Sequence, residues 1–115
     1  MDGKLTVYCD HGHDREPLGR LVVVEDQIDA DRTRSRWRLY DTTGRVMGTE
    51  AKVEVGTVPS VASGHAHMWH EQSAKFDCPR CGVNVSIRLH DRQDALSRYD
   101  AEHHDVRATE LESLR

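Results

Sequence analysis

The chain has one Phe, only 5% aromatic residues and a mean hydropathy of −0.73 over 115 residues. Chains of this size bury roughly two-thirds of their unfolded surface, so a core is attainable but not a generous one. No apolar run approaches the ~20 residues that a membrane-crossing helix needs, and no membrane partner is expected. Cysteine is scarce and odd in number, at three, which argues against a closed disulfide framework. No leader is read in "MDGKLTVYCD", and with the odd thiols this favours a reducing, cytoplasmic address. Basic charge is not in excess either. Lys and Arg total 16 against 20 Asp and Glu, a net charge of −4, the opposite of a dedicated nucleic-acid binder. No nucleophile–base pair, phosphate-cradling Gly loop or framed carboxylate pair is present, so an enzyme is not expected.

What the chain does have is a succession of short β-like runs. "KLTVYC" and "GRLVVVED" are rich in β-branched residues, and "SRWRLYD" alternates. "TTGR" reads as a turn that "RVMG" continues into a hairpin. "AKVEVGTV" puts Val53 and Val55 on one face, and "PSVASG" reads as a loop. "HMWHEQ" is ambiguous, whereas "VNVSIRLH" carries Val83, Val85, Ile87 and Leu89 at period two. From Asp91 onward no Gly or Pro occurs, and the pattern predicts one helix with Asp91 as its N-cap. Leu96, Tyr99, His103 and Val106 would share its face. Leu111 and Leu114 fall out of register, placed to fray or to meet a partner.

The chemistry concentrates in "FDCPRCGVNV", where Cys78 and Cys81 bracket two residues and Gly82 follows. A redox Cys-x-x-Cys pair opens a helix, whose dipole lowers the thiol pKa; here a strand-like run follows instead. Metal binding fits better, because a glycine after the second ligand accepts the positive φ of a tight knuckle. Cys78, Pro79, Arg80, Cys81 and Gly82 resemble the zinc-ribbon knuckle position by position. That resemblance implies a structural Zn2+ with four protein ligands, so half of the site is still to be found.

The remaining thiol is Cys9 in "VYCDHGHD", with His11 and His13 beside it. "CDHG" reads as a shortened knuckle in which His11 stands for the second Cys and Gly12 for Gly82. Cys9, His11, Cys78 and Cys81 then complete a Cys3His site, with His13 the alternative to His11. Ribbon knuckles are usually separated by roughly 15–20 residues. Here more than sixty intervene. Either the middle strands are an insertion, or the ion clamps two distant hairpins of a larger sheet.

Other constellations weigh less. "HGHD" is similar to the start of the metal motif of metallo-β-lactamase-like hydrolases, but Asp14 comes one position early and no further His follows. His65, His67 and His70 offer a weak second metal site, since His65 and His67 would share a strand face. In "DRTRSRWRLY", Arg32, Arg34, Arg36 and Arg38 would point one way on a strand while Trp37 and Leu39 point to the core. Such a row can grip phosphates or an acidic protein, or it can be a solvated face balanced by Asp29, Asp31 and Asp41.

The expectation is therefore a mainly β, single-domain, zinc-ribbon-like protein. Residues 1–90 form its zinc-binding body, and 91–115 a helix packed on that body or extending from it. Its expected work is that of an adaptor or regulatory module for a protein partner. Nucleic-acid binding through the Arg row is the alternative, and metal handling by the His cluster a weaker one.

Overall fold

The structure, a computed structural model, describes residues 3–27, 33–57 and 66–114, with the backbone alone for 27, 52–57 and 66–69. The expected "PSVASG" loop lies outside these residues. Strands β1 (Lys4–Cys9), β2 (Glu16–Gln27), β3 (Thr33–Tyr40) and β7 (Asp105–Arg107) form one sheet in the order β3-β2-β1-β7. Strands β4 (Thr49–Thr57), β5 (Ala66–Asp77) and β6 (Asn84–Arg88) form a second, ordered β4-β5-β6. All neighbours are antiparallel except β1 and β7, which run parallel. "HMWHEQ" is strand, within β5.

Alternation sorts the side chains. Leu5 and Val7 of β1, Leu21 of β2, and Trp37 and Leu39 of β3 point inward. Ala74 and Phe76 of β5 and Val85 and Ile87 of β6 meet them in one buried cluster. The lone Phe sits in that cluster at 1% exposure. Leu89, Leu96, Val106, Ala108 and Leu111 of the C-terminal segment complete the same core.

That segment departs from the expected single helix. A 3-10 turn (Leu89–Arg92) leads into α1 (Gln93–Asp100), the chain then forms β7, and α2 (Ala108–Ser113) follows. Asp91 is not the cap; Arg92 occupies the N-cap position of α1 without a side-chain hydrogen bond. The break has a tertiary cause. β1 has one edge free of β2, and "DVR" closes it, with Val106 opposite Val7 and fully buried. Leu111, expected to fray or meet a partner, is also fully buried. The Arg92 guanidinium donates to the carbonyls of Leu111 and Glu112 at 2.9 and 2.7 Å, capping the C-terminal end of α2.

β3 is an edge strand, and two glutamines cover it. Gln93 accepts from the Trp37 amide at 2.6 Å and donates to its carbonyl at 3.1 Å. Gln72, 1% exposed, does the same to Leu39 at 2.8 and 2.7 Å and also donates to the Met47 carbonyl at 2.8 Å. Each side-chain amide stands in for the peptide group of a missing neighbour. The expected "TTGR" turn forms, with the Asp41 carboxylate accepting from the Thr43 and Arg45 amides at 2.9 and 3.0 Å.

Two substitutions test this packing. Gln72→Ala leaves buried amide and carbonyl groups unsatisfied, and a loss of about 2–4 kcal/mol is expected in urea unfolding with unchanged m. Gly48 has φ 67°, and a Cβ there would collide with the Ser73 carbonyl oxygen. Gly48→Ala is therefore expected to be insoluble or to unfold at far lower urea than wild type.

Candidate metal centre

The core pattern itself delivers two of the thiols. Leu5, Val7 and Cys9 follow one another at period two on the buried face of β1. Ala74 and Phe76 do so on β5, and Cys78, one residue beyond the strand, continues that face. Both sulfurs thus emerge at one end of the core, from facing sheets, at 4% and 3% exposure. Cys81 is exposed, and none of the three cysteines is in a disulfide.

Two tight turns bring the remaining donors in. After β5, the Gly82 amide donates to the Cys78 carbonyl at 2.9 Å and the Cys78 amide to the Val83 carbonyl at 3.0 Å. Gly82 takes φ 74°, as the knuckle pattern requires. The amides of Arg80 and Cys81 both point at the Cys78 sulfur. After β1 the chain turns through Gly12 at φ 77°, and the His11 amide points at the Cys9 sulfur.

The imidazole that completes the group is that of His13, not the favoured His11. His13 Nε2 lies 3.6 Å from Cys9 Sγ and 3.4 Å from Cys78 Sγ, and the Cys9 and Cys81 sulfurs are 3.6 Å apart. All four donor atoms fall within 4.8 Å of one another. His11 contributes its backbone amide to the turn, while its side chain is exposed beside a cleft that Tyr8 and Arg107 also line. The left-handed residue Gly12 reverses the chain so that position 13, rather than 11, returns over the thiols.

These separations fit a tetrahedral ion. Bond lengths of about 2.3 Å to sulfur and 2.0–2.1 Å to nitrogen imply S···S edges of about 3.8 Å and S···N edges of about 3.6 Å. The second layer fits as well. His13 Nδ1 lies 2.5 Å from the Asp14 carbonyl oxygen, an acceptor only, so Nδ1 carries the proton and Nε2 keeps its lone pair for the cluster.

The thiols share their protons unequally. Burial, with the neighbouring Cys81 and Cys78, pushes the Cys9 thiol up to about 11 against the pull of the His11 amide. Burial pushes Cys78 up too, but the Cys81 and Arg80 amides outweigh it and bring that thiol down to about 7. The Asp14 carbonyl and the facing thiols raise His13. One buried sulfur is therefore ready to act as thiolate at neutral pH, and the other gives up its proton when a cation takes its place.

Ion pairs lash the surroundings together. Arg107 holds Asp10 at 2.8 Å, Arg15 holds Asp105 at 2.7 Å, and Arg80 of the knuckle holds Glu16 at 3.0 Å. Arg80 ties the knuckle to the start of β2, and the other two pairs tie the turn after β1 to β7. All are largely exposed, so each adds little energy and serves mainly to order the turns.

The other expected sites fare differently. Arg32 and His65 lie outside the described residues, and of His67 only the backbone is described. His70 sits 3.6 Å from Asp26 rather than in a metal-ligand group; among the described residues, Cys9, His13, Cys78 and Cys81 are the only such group. The Arg row is partly internal. Arg36 pairs with Asp26 and, at 3.0 Å, with Glu50, and Arg38 chelates Glu50 at 2.7 and 2.9 Å. Burial pushes the Glu50 carboxyl up, but the two guanidiniums outweigh it and hold it below the ordinary range. Among the described residues the balancing acids are Asp26 and Glu50, while Asp41 is engaged by its own turn; the expected Asp29 and Asp31 lie outside the described residues. Trp37 and Leu39 do point to the core, as alternation predicts. Sequence reasoning missed the glutamines that seal β3 and the backbone amides aimed at sulfur, since neither leaves a motif.

Compared with known protein families, curated proteins and solved structures, the chain matches none.

Titration with Zn2+ is expected to saturate at one ion per chain. His13→Ala should weaken binding by more than about a hundredfold while His11→Ala leaves it nearly unchanged, read by competition with a chromogenic chelator. Affinity should also fall with acidification, because protons compete for the thiolates. Cys9 alone imposes about tenfold per pH unit throughout the neutral range, and Cys78 adds about a further tenfold per unit below pH 7. A pH-independent affinity between pH 6 and 8 would contradict this assignment.

Proposed function

We propose that the chain is a zinc-stabilised β module that recognises a macromolecular partner, in the first place a protein. The observation that carries this reading is the Cys9, His13, Cys78 and Cys81 group, whose four donors lie within 4.8 Å of one another. Four protein donors fill a tetrahedron and leave no position for substrate or water, which is the pattern of a structural ion rather than a catalytic one. Zn2+ matches three sulfurs and an imidazole better than harder ions do. A structural zinc is worth ~10–16 kcal/mol apparent, comparable to the ~5–15 kcal/mol stability of an entire domain.

A protein partner is favoured on electrostatic grounds. The chain is acidic overall, and Arg36 and Arg38 are already engaged by Asp26 and Glu50. That leaves the Arg row less able to track a phosphate backbone. Free thiols suit the reducing, cytoplasmic setting proposed with this role.

Two measurements test the reading. Removing zinc with a strong chelator should abolish cooperative thermal unfolding, and Cys81→Ser should do the same; a metal-free chain that keeps its melting transition refutes a structural ion. A mobility shift with single- and double-stranded nucleic acid across a salt series should show no salt-dependent complex. A steep salt dependence lost in Arg34→Ala would move the assignment to nucleic acid.

A further inference from the structure

The outer face of the four-stranded sheet carries charge that the fold does not use. On this face Lys4 of β1 stands opposite Val22 of β2, and Val22 opposite Arg38 of β3. One step along, Thr6 stands opposite Arg20, and Arg20 opposite Tyr40. Arg38 is held by Glu50, and its guanidinium lies 5.6 Å from the centre of the Tyr40 ring. Lys4 and Arg20 are both exposed and make no ion pair among the described residues. This is unusual in a molecule whose other guanidiniums are so often paired.

These two cations lie in a groove of about 870 Å³. Gly44 of the β3 hairpin turn and His104 of the turn before β7 also line it. The Thr6 amide donates to the His104 carbonyl at 3.2 Å, which ties that turn to the sheet. The groove is thus a built concavity with an apolar strip, Val22, an aromatic wall, Tyr40, and two uncompensated positive charges.

We infer that this groove binds an extended acidic segment of a protein partner, its carboxylates two residues apart seated on Lys4 and Arg20. The inference rests on the proposed recognition role and names the face and the chemistry that serve it. Lys4 and Arg20 are diagonal neighbours on adjacent strands, and such positions lie roughly 7–8 Å apart. Residues i and i+2 of an extended chain share a face and lie about 6.6 Å apart, so alternate acidic side chains match the pair. The surroundings favour a short peptide over a nucleic-acid strand. A polyphosphate running beyond the groove meets Asp105 of β7, which stands opposite Thr6, in a chain of net charge −4. A peptide can place neutral residues there.

The test uses the full, zinc-loaded chain and a fluorescein-labelled alternating Glu–Thr peptide about ten residues long, followed by anisotropy at low salt. The expected result is saturable binding that weakens with salt and falls about tenfold or more in Lys4→Ala/Arg20→Ala. Lys75→Ala, on the other sheet, should leave it unchanged. Zinc content and thermal unfolding of each variant separate loss of the groove from loss of the module; an intact, zinc-loaded double variant that binds as well as wild type overturns the inference. No binding by the wild-type chain overturns it too, as does tighter binding of a labelled oligothymidine that the double variant abolishes. The groove would in that last case be a phosphate site.

Discussion

Two sulfurs that continue the hydrophobic faces of two different sheets impose the central constraint on this molecule. Cys9 and Cys78 occupy positions that alternation assigns to the core, yet they bring titratable groups there instead of hydrocarbon. Buried thiolates without a cation repel one another and resist ionising, as the upward push on Cys9 records. With a divalent cation among them the same burial becomes favourable, because the low dielectric strengthens the attraction. The four-donor group and the core thus close the same end of the fold.

The rest of the structure compensates for a core with little bulk. Where a richer sequence would cover a sheet edge with another strand, this one spends polar side chains that satisfy the backbone directly. Gln72 and Gln93 satisfy the Leu39 and Trp37 peptide groups of β3, and Arg92 covers the last carbonyls of α2. Asp26, Glu50, Arg36 and Arg38 form a partly buried network tying β2, β3 and β4. Such groups stabilise only when all partners are met, and here their directions agree with the strand geometry. Specificity of fold comes from this matching as much as from apolar area.

The C-terminal segment shows how an open edge can override local propensity. A run free of Gly and Pro favours helix, and most of its residues are compatible with one. Three residues in its middle nevertheless become β7, because pairing with β1 and burying Val106 satisfies groups that helix formation would leave exposed. The helices on either side are short, at eight and six residues, and are held by packing rather than by their own stability.

Much was legible along the chain. Period-two alternation marks the strands and their buried faces, glycine after Cys81 marks the tight turn, and Cys-x-x-Cys with a lone distant Cys marks a candidate metal-ligand group that takes in one histidine. These are local signals, since a side chain's direction on a strand and the φ a turn demands depend on near neighbours alone. Tertiary structure decided the rest: His13 over His11, strand over helix at 105–107, and Arg36 and Arg38 drawn inward by Asp26 and Glu50. Each outcome turned on an encounter between segments: the Gly12 turn with Cys78, β7 with β1, and β3 with β2 and β4. The free energy of such an encounter is set by three-dimensional proximity and desolvation, which no local pattern encodes.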